Sequence, residues 1–389
     1  EGISDNTFNK IMDEALNNLP KIDEWLSPSI LKKFDNISWN DAVINLHKPK
    51  NTIEEKKYIN RLIFDEILST FLINSNIRKN FKKKSKIPKK IYKNLKDQIE
   101  KKIGFELTSD QITALDQINF DISSKERMFR LLQGDVGTGK TIVSLIAAQN
   151  VILNDYQVAF MAPTEILAKQ HYELFLKFFG TNINVELLTG KTEYKKKKEI
   201  LFNLINNKID IIFGTHALFQ KKIIFKKLGL IIIDEQHKFG VNQRKKLSEK
   251  GGSNCDVLVM SATPIPRTMM MTLYGDMDIV LIKSKPKNRK VIKTYTKDIN
   301  KIVDVVNFIK NEINNNNQIF WVCPLIEDSQ KIDHQSVVAR YEHLKKIFKN
   351  KVSLLHGLID KDNKDKILND FLNNKIKILV STTVIEVGI

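Results

Sequence analysis

The chain has 389 residues, of which 42% are hydrophobic and 28% are charged, enough length for two or three domains and too apolar for a disordered chain. No apolar run approaches the roughly 20 residues that a membrane helix needs, so we expect no membrane partner. The 63 Lys and Arg residues outnumber the 45 Asp and Glu residues by 18, and such a balance favours a polyanionic partner.

The first hundred residues predict helices and show no recurring strand pattern. Apolar residues recur at helical spacing over residues 59–77, which predicts one amphipathic helix. Residues 78–102 then carry eleven Lys and one Arg against two acidic residues. Such a run is typical of a solvated connector, or it contacts nucleic acid, and the sequence leaves both interpretations open.

From Met128 onwards, short apolar runs alternate with helical patterns. The predicted strands are MFRLLQ, QVAFMAP, NVELLTG, IDIIFGT, LGLIIIDE and DVLVMSAT. This alternation predicts βαβ units around a parallel sheet with both faces covered. The alternation breaks at the polar stretch KSKPKNR and resumes in QIFWVCP, KVSLLHG and IKILVSTT, so we predict a second α/β domain after a linker.

Residues 134–141 read GDVGTGKT and match the phosphate-binding pattern GxxxxGK[ST]. The motif follows a predicted strand and opens a predicted helix, so its main-chain N–H groups can surround the phosphates of a nucleotide. Lys140 would reach the β- and γ-phosphates, and the Thr141 hydroxyl would hold Mg²⁺. The predicted nucleotide-binding residues of the loop are Gly134, Asp135, Val136, Gly137, Thr138, Gly139, Lys140 and Thr141.

Two acidic residues, Asp234 and Glu235, end the apolar run LGLIII. Ligands bind at that edge of a parallel sheet. Asp234 would hold Mg²⁺, and Glu235 would orient and deprotonate the attacking water. Together with the phosphate-binding loop, the pair predicts an enzyme that hydrolyses ATP with Mg²⁺. The histidines are scattered, and no spacing of Cys and His suits a zinc site.

The tetrad DEQH at residues 234–237 and MSAT at residues 260–263 resemble the superfamily-2 helicases. The resemblance implies that these motifs hydrolyse ATP and couple the nucleotide site to a strand-binding cleft. The further residues implied there are Gln236, His237, Ser261 and Thr263. Arg267 is a candidate for coupling or for a strand contact, or it pairs with an acidic residue. Upstream, FELTSDQ resembles the adenine-reading motif, with Gln111 as the reader and Phe105 as the stacking residue.

Several further segments resemble the strand-binding loops of the same superfamily. They are APTEILAKQH, LTG, GTHAL, LLHG and the start of STTVIEVGI. Donors at loop tips and helix N-termini suit contact with a DNA backbone without regard to its sequence. The implied DNA-binding residues are Pro163, Thr164, Thr189, Gly190, Gly214, Thr215, His216, His356, Gly357, Thr382 and Thr383.

The ordered set of motifs, which also includes MSATPIPRT and WVCPLIEDS, resembles the RecG family of bacterial ATP-dependent DNA helicases. The resemblance implies two RecA-like parallel-sheet domains, at residues 105–283 and 297–389, joined by a linker at 284–296. A helical basic connector at 1–104 would precede them. The implied function is the remodelling of branched DNA, such as stalled replication forks and Holliday junctions, in recombination and repair.

Two alternatives remain at this point. A transcription-repair coupling translocase of the Mfd type shares several motifs but usually carries DEEH, so Gln236 favours the RecG family. The other alternative is a non-catalytic fragment that holds DNA by charge alone.

The resemblance also implies segments beyond both ends, namely an OB-type wedge domain before Glu1 and an arginine-rich motif VI after Ile389. We therefore expect a truncated second domain and, for the isolated chain, weak ATPase activity or none. We further expect a monomer in the bacterial cytoplasm, at the nucleoid, that can contact a single-stranded-DNA-binding protein. An organelle of bacterial descent is the alternative location.

Overall fold

A computed structural model provides the structure of the protein. It describes residues 4–47, 52–82, 85–180, 182–220, 222–235, 252, 254–263, 277–286, 292–323, 330–356, 359 and 361–382. Along the chain, a helical region precedes two units that each contain a parallel sheet. Among the described residues, no helix combines the length and the apolar character needed to cross a membrane.

The N-terminal helices pack around a buried arginine. Arg61 has no exposed surface, and its guanidinium donates to both carboxylate oxygens of Glu24 at 2.8 and 3.0 Å and also contacts Asp65. Its Cζ lies 5.8 Å from the ring centroid of Trp25. The helices are Asp5–Asn17 (α1), Pro28–Leu31 (α2), Trp39–Leu46 (α3), Thr52–Lys82 (α4) and Leu95–Ile103 (α5). Helix α4 confirms the helix predicted over residues 59–77 and extends it at both ends.

The first α/β unit holds seven parallel strands among the described residues, in the order β3-β4-β2-β5-β6-β1-β7. The strands are Phe129–Gly134 (β1), Gln157–Met161 (β2), Val185–Leu188 (β3), Ile211–Gly214 (β4), Leu228–Ile233 (β5), Asp256–Ser261 (β6) and Asp278–Ile282 (β7). The helices are Ser109–Ser123 (α6), Lys140–Ile152 (α7), Glu165–Phe179 (α8) and Tyr194–Ile205 (α9). All six predicted strands of this unit are confirmed, because β1 to β6 fall on them.

Both faces of this sheet are covered, as the alternation predicts. In β2, Val158 and Phe160 join one apolar cluster, whereas Ala159 and Met161 join the cluster on the other face. Strand β7 differs from the prediction, since no strand was expected over residues 278–282. It pairs with β1 at the edge of the sheet and leaves Leu281 39% exposed. Its short apolar run, at residues 279–282, directly precedes the polar stretch KSKPKNR.

The basic run between α4 and α5 contains a docked segment. Residues 85–92, which we call the strap, run along the first unit, and the main-chain N–H of Lys89 donates to the carbonyl of Ile122 at 3.2 Å. The side chains of Lys86 and Lys89 are fully buried, and their ammonium groups lie 2.5 and 2.8 Å from the two carboxylate oxygens of Asp256. Burial lowers the pKa of Lys86, and the charge of Asp256 opposes that shift. Neither interpretation of the run therefore holds for these two lysines, whereas Lys90 and Lys93 of the same run are exposed.

The second α/β unit holds three parallel strands among the described residues, in the order β8-β10-β9. The strands are Ile319–Val322 (β8), Val352–Leu355 (β9) and Ile378–Ser381 (β10), and the helices are Ile302–Asn314 (α10), Gln330–Phe348 (α11) and Lys361–Leu372 (α12). In β10, Ile378 and Val380 join one apolar cluster, and Leu379 packs with Phe371 in another. The predicted strands of a second α/β unit are confirmed, but the described residues cover its sheet only in part, since Phe320 and Val322 of β8 are 45% and 50% exposed.

Candidate functional site

The predicted phosphate-binding residues form one tight loop between β1 and α7. At Gly134, which ends β1, a Cβ atom would lie 2.6 Å from the Thr138 hydroxyl and 2.8 Å from the carbonyl oxygen of Ile282. Gly139 caps α7 with φ at +86°, a left-handed conformation that favours glycine. The loop between these two glycines consists of Asp135, Val136, Gly137 and Thr138. Glycine is therefore required at both ends of the turn.

Lys140 lies inside this loop rather than in solvent. Its ammonium donates to the main-chain carbonyls of Gly134 at 2.7 Å and Asp135 at 3.0 Å. Burial lowers the pKa of Lys140, and the carboxylates of Glu235, Asp234 and Asp135 act in the opposite direction. The lysine charge therefore sits between the loop carbonyls and the acidic pair, where a phosphate chain would be held.

Gln111 joins the helix before β1 to the phosphate-binding loop. Its side-chain nitrogen donates to the carbonyl of Thr138 at 2.7 Å, and its side-chain oxygen accepts from the N–H of Thr108 at 2.9 Å. The Thr108 hydroxyl in turn accepts from the Gln111 N–H, which completes a capping box at the start of α6. Phe105, the predicted stacking residue, is 43% exposed. Gln111 thus supports the loop, and reading of adenine by Gln111 and Phe105 stays a prediction.

The acidic pair lies at the carboxyl end of β5. The Asp234 N–H donates to the carbonyl of Met161 at 2.8 Å and extends the sheet by one residue. One carboxylate oxygen of Asp234 accepts from the N–H of Glu235 at 3.1 Å. Glu235 has φ at +51°, a conformation that costs a non-glycine residue energy and that clusters at functional sites. The carboxylates of Asp234 and Glu235 therefore both lie at the carboxyl end of β5.

The residues after β6 contact both the acidic pair and the loop. The Ala262 N–H donates to the carboxylate of Glu235 at 3.4 Å, and the hydroxyls of Ser261 and Thr263 lie 2.9 Å apart. Gln133, in β1 directly before the loop, donates to the carbonyl of Thr263 at 2.8 Å. The structure therefore brings Ser261 and Thr263 next to the acidic pair and the predicted phosphate-binding loop. Gln133 was not predicted, although a buried glutamine in an apolar strand signals a polar partner.

His171, the last residue of APTEILAKQH, is a second residue to which the sequence analysis gave no role. Its Nε2 donates to the other carboxylate oxygen of Asp234 at 2.8 Å, and each of the two residues is 8% exposed. The imidazole lies against Phe160 of β2, with ring centroids 4.7 Å apart. Ala168, His171 and Phe175 share the buried face of α8. A histidine on such a face needs a polar partner, which is the signal that could have identified it.

The predicted DNA-binding loops of the first unit lie along one edge of its sheet. Pro163 and Thr164 follow β2, Thr189 and Gly190 follow β3, and Gly214, Thr215 and His216 follow β4. The strands β3, β4 and β2 are neighbours, and all three are parallel, so their carboxyl ends meet. Two hydrogen bonds join the loops: the Ala162 N–H donates to the carbonyl of Gly214 at 2.9 Å, and the Gly190 N–H donates to the Glu165 carboxylate at 3.0 Å.

Thr164 is placed at the N-cap of α8. Its hydroxyl accepts from the Leu167 N–H at 3.3 Å, which leaves its own O–H to donate. In the second unit, His356 and Thr382 follow the neighbouring strands β9 and β10, and Thr382 is 7% exposed. The predicted residues Gln236, His237, Arg267, Gly357 and Thr383 lie outside the described residues.

The segment after β7 contacts both α6 and the predicted phosphate-binding loop. The carboxylate of Asp110 accepts from the N–H groups of Ser284 at 2.7 Å and Lys283 at 2.9 Å, and these bonds hold its pKa below the usual value. The Lys285 ammonium lies 2.7 Å from the carboxylate of Asp135 in the loop. The start of the predicted linker is therefore anchored to α6 and to the phosphate-binding loop.

The chemistry of the side chains fits a nucleotide with a divalent cation. The loop opens a helix N-terminus and carries a lysine, which suits phosphates. Thr141 and Asp234 offer a hydroxyl and a carboxylate, the hard oxygen ligands that Mg²⁺ prefers. The arrangement can therefore hold a nucleoside triphosphate and activate water with the acidic pair.

Two family models match the chain. The model described as DEAD/DEAH box helicase matches residues 108–272, and the model described as helicase conserved C-terminal domain matches residues 299–389. Each model falls on one of the two sheet units.

Curated relatives match the whole chain but extend beyond it. The ATP-dependent DNA helicase RecG of Thermotoga maritima is 42% identical over 392 residues, which cover 100% of this chain and 50% of the relative. RecG of Staphylococcus aureus is 40% identical over 394 residues, which cover 100% of this chain and 57% of the relative. The chain thus spans about half the length of the curated relatives it matches.

Solved structures of helicases also match the chain. The structure of RecG bound to a three-way DNA junction matches with a TM-score of 0.79 at 40% identity, covering 100% of this chain and 51% of that chain. The structure of Dbp5 from S. cerevisiae bound to RNA and ADP BeF3 has a TM-score of 0.56 at 20% identity, covering 77% of this chain and 76% of that chain. The second likeness concerns the fold alone. With the two family models, these matches establish two RecA-like domains.

Proposed function

Because the chain belongs to the RecG family, we propose that it forms the motor of an ATP-dependent DNA helicase that remodels branched DNA. The observation that carries the proposal is the match to RecG helicases over the whole chain at 40–42% identity. The relative in the matched structure is bound to a three-way DNA junction. By its family, the protein would act on stalled forks and Holliday junctions in recombination and repair.

ATP would bind at the loop between β1 and α7. Lys140 would exchange the carbonyls of Gly134 and Asp135 for phosphate oxygens, which carry more negative charge. Glu235 would orient the attacking water and accept its proton, held by its contact with the Ala262 N–H. That contact also supports the proposal that Ser261 and Thr263 report the state of the nucleotide site to the DNA-binding edge.

Mg²⁺ would be held by Thr141 and Asp234. When bound, the ion would neutralise charge on the phosphates during transfer. Asp234 is prepared for this task, since His171 and the N–H of Glu235 fix its two carboxylate oxygens.

A DNA strand would lie across the loops that follow β2, β3 and β4. These loops present the Thr164 hydroxyl and the N-terminus of α8, which suit phosphates of any sequence. The hydrogen bonds between the loops support their action as one surface. His356 and Thr382 would continue the contact on the second domain.

The domain boundaries are part of the proposal. The first domain would span residues 105–283, because β7 pairs with β1 and so belongs to the first sheet. A linker at 284–296 would lead to the second domain at 297–389, which agrees with the family match over residues 299–389. A monomeric state, contact with a single-stranded-DNA-binding protein and location at the bacterial nucleoid stay predictions from the family.

Strand displacement from a synthetic fork tests this function. The full-length protein that carries this sequence should unwind a fluorescently labelled fork with ATP, and the Lys140→Ala variant should not. Lys226→Ala, at an exposed position just before β5, is a matched control that should unwind like the wild type. Unwinding by the Lys140→Ala variant at the wild-type rate would contradict the proposal.

A further inference from the structure

His171 occupies a place between the two halves of the proposed machinery. It lies on α8, whose first residues border the proposed DNA-binding edge, and its side chain reaches the carboxylate proposed to hold Mg²⁺. His171 is the last residue of the segment APTEILAKQH, but the sequence analysis gives it no contact with nucleotide or DNA. Its position therefore calls for a role of its own.

Burial and packing hold the side chains of His171 and Asp234 in contact. Both side chains are almost fully buried, so the 2.8 Å hydrogen bond forms away from competing water. The Phe160 ring lies 4.7 Å from the imidazole, centroid to centroid, with the ring planes tilted by 44°, and it restricts rotation of the imidazole. The Nε2 atom of His171 therefore orients one carboxylate oxygen of Asp234, and the N–H of Glu235 orients the other.

The same helix carries the DNA-binding edge. Thr164 caps α8, and Glu165 in its first turn accepts the N–H of Gly190 from the neighbouring loop at 3.0 Å. Thr164 and His171 are two helical turns apart, or roughly 10 Å along the axis. Because a helix moves as a rigid element, a shift of its N-terminus also moves the imidazole.

We propose that His171 is a positioning residue that orients Asp234 for Mg²⁺ and makes that orientation depend on DNA bound at the N-terminus of α8. This inference rests on the proposed function, since it needs an ATP-hydrolysing motor. Residues that orient a metal-binding side chain in this way typically change metal affinity or activity by about 10–100-fold when they are replaced.

A matched pair of amide variants separates this role from simple packing. In His171→Gln, the side-chain Nε2 lies at about the same distance from the main chain as the imidazole Nε2, so it can still donate to Asp234. In His171→Asn, the amide is one methylene shorter and cannot reach. Both variants are neutral and polar, and thermal unfolding monitors their stability. His343→Asn, at an exposed position on α11, is the control for a change of residue type.

The first measurement is Mg²⁺-dependent binding of a fluorescent ATP analogue to the full-length protein, which does not depend on turnover. We expect the Mg²⁺ concentration at half-saturation to rise about 10–100-fold in His171→Asn and to stay near the wild-type value in His171→Gln and His343→Asn. Equal Mg²⁺ dependence in His171→Asn and the wild type would overturn the proposal. So would an equal loss in both His171 variants, because that pattern indicates packing alone.

The second measurement is the ratio of ATPase rates with and without DNA. We expect His171→Asn to lose most of this stimulation while its DNA affinity stays unchanged, and His171→Gln to retain it. Undiminished stimulation in His171→Asn would overturn the inference and leave the helicase proposal standing. If the wild type itself shows no DNA-stimulated hydrolysis, the proposed function fails instead.

Discussion

The side-chain amide of Gln111 donates a hydrogen bond of 2.7 Å to the main-chain carbonyl of Thr138. This bond connects α6 to the phosphate-binding loop at its tightest point, since a Cβ atom on Gly139 would lie only 2.2 Å from the same nitrogen. A residue expected to read adenine therefore also holds the loop that would bind the phosphates. Nucleotide affinity should depend on it through loop geometry.

Replacing Gln111 with Leu should weaken ATP binding. The change leaves the Thr138 carbonyl and the Thr108 N–H without their partners, and each unmet buried group costs about 1–3 kcal/mol. We expect the dissociation constant of a fluorescent ATP analogue to rise by about 5- to 150-fold, measured by equilibrium titration. Gln98→Leu, at an exposed position on α5, is the control. An unchanged affinity in Gln111→Leu would show that the bond does not support the loop.

Removing the charge of Asp256 should destabilise the first domain strongly. Asp256 compensates the buried ammonium groups of Lys86 and Lys89 and also accepts the N–H of Met128 at 2.8 Å. Asp256→Asn keeps an acceptor for that N–H but leaves two buried lysines without a negative partner. We expect a loss of about 3–5 kcal/mol in the free energy of unfolding, measured by urea denaturation.

The matched control for Asp256 is Asp278, an aspartate that also begins a strand of the same sheet. It pairs with Arg78, but both side chains are partly exposed, at 25% and 38%. Such a pair contributes about 0–1 kcal/mol, so Asp278→Asn should change stability little. Equal losses in the two variants would contradict the account of the strap.

The strap should not contact DNA. It docks beside Ile122 and Asp256, at the amino-terminal edge of the first sheet, whereas the proposed DNA-binding loops lie at the carboxyl edge. If Lys90 in the strap and Lys93 directly after it contacted phosphates, replacing both with Gln would reduce the salt slope of DNA binding by about 1.8 units. We expect a change of less than about 0.5 units in a salt titration of affinity.

A lysine at the opposite edge serves as the comparison for this titration. Lys191 follows Gly190 in the loop after β3, so Lys191→Gln should reduce the slope by about 0.9 units. A larger effect from Lys90 and Lys93 than from Lys191 would place the DNA at the amino-terminal edge of the sheet and contradict this prediction.

Cys255 should be unreactive in the folded protein. The residue is fully buried before β6, and burial raises the pKa of its thiol to about 12. The thiol therefore stays protonated at pH 8, and a thiol reagent should modify Cys323 first and Cys255 only on unfolding. Because an unfolded thiol ionises near pH 9.0, the stability from keeping Cys255 protonated is complete below that pH and is lost as pH rises towards 12. Rapid labelling of Cys255 in native protein at pH 8 would refute this assignment.

Local motifs predicted the tight loop between β1 and α7 and the acidic pair at the end of β5, because each lies within a short segment. GDVGTGKT needs only a strand before it and a helix after it, and the acidic pair needs only a strand end. Strand β7 was not predicted, because its short apolar run at residues 279–282 directly precedes the polar stretch KSKPKNR, which indicated a linker. The alternation of apolar runs was sufficient for the other strands, most of which are buried and therefore apolar on both faces.

Long-range pairs could not be predicted from the sequence. Asp234 lies 63 residues from His171, and Asp256 lies 170 residues from Lys86. No local pattern joins residues at such separations, so the basic run suggested solvent or DNA instead of a buried partner. The sheet order places β6 beside β1 and β5 beside β2, and that order brings these pairs together.

ATP hydrolysis on two DNA substrates tests the central claim most directly. Steady-state rates of the full-length protein should be measured with a three-way junction and with linear duplex of the same nucleotide composition, at equal concentrations. A branched-DNA motor predicts a clearly higher rate with the junction, and Lys140→Ala should abolish both rates. Equal rates on the two substrates would contradict the claim.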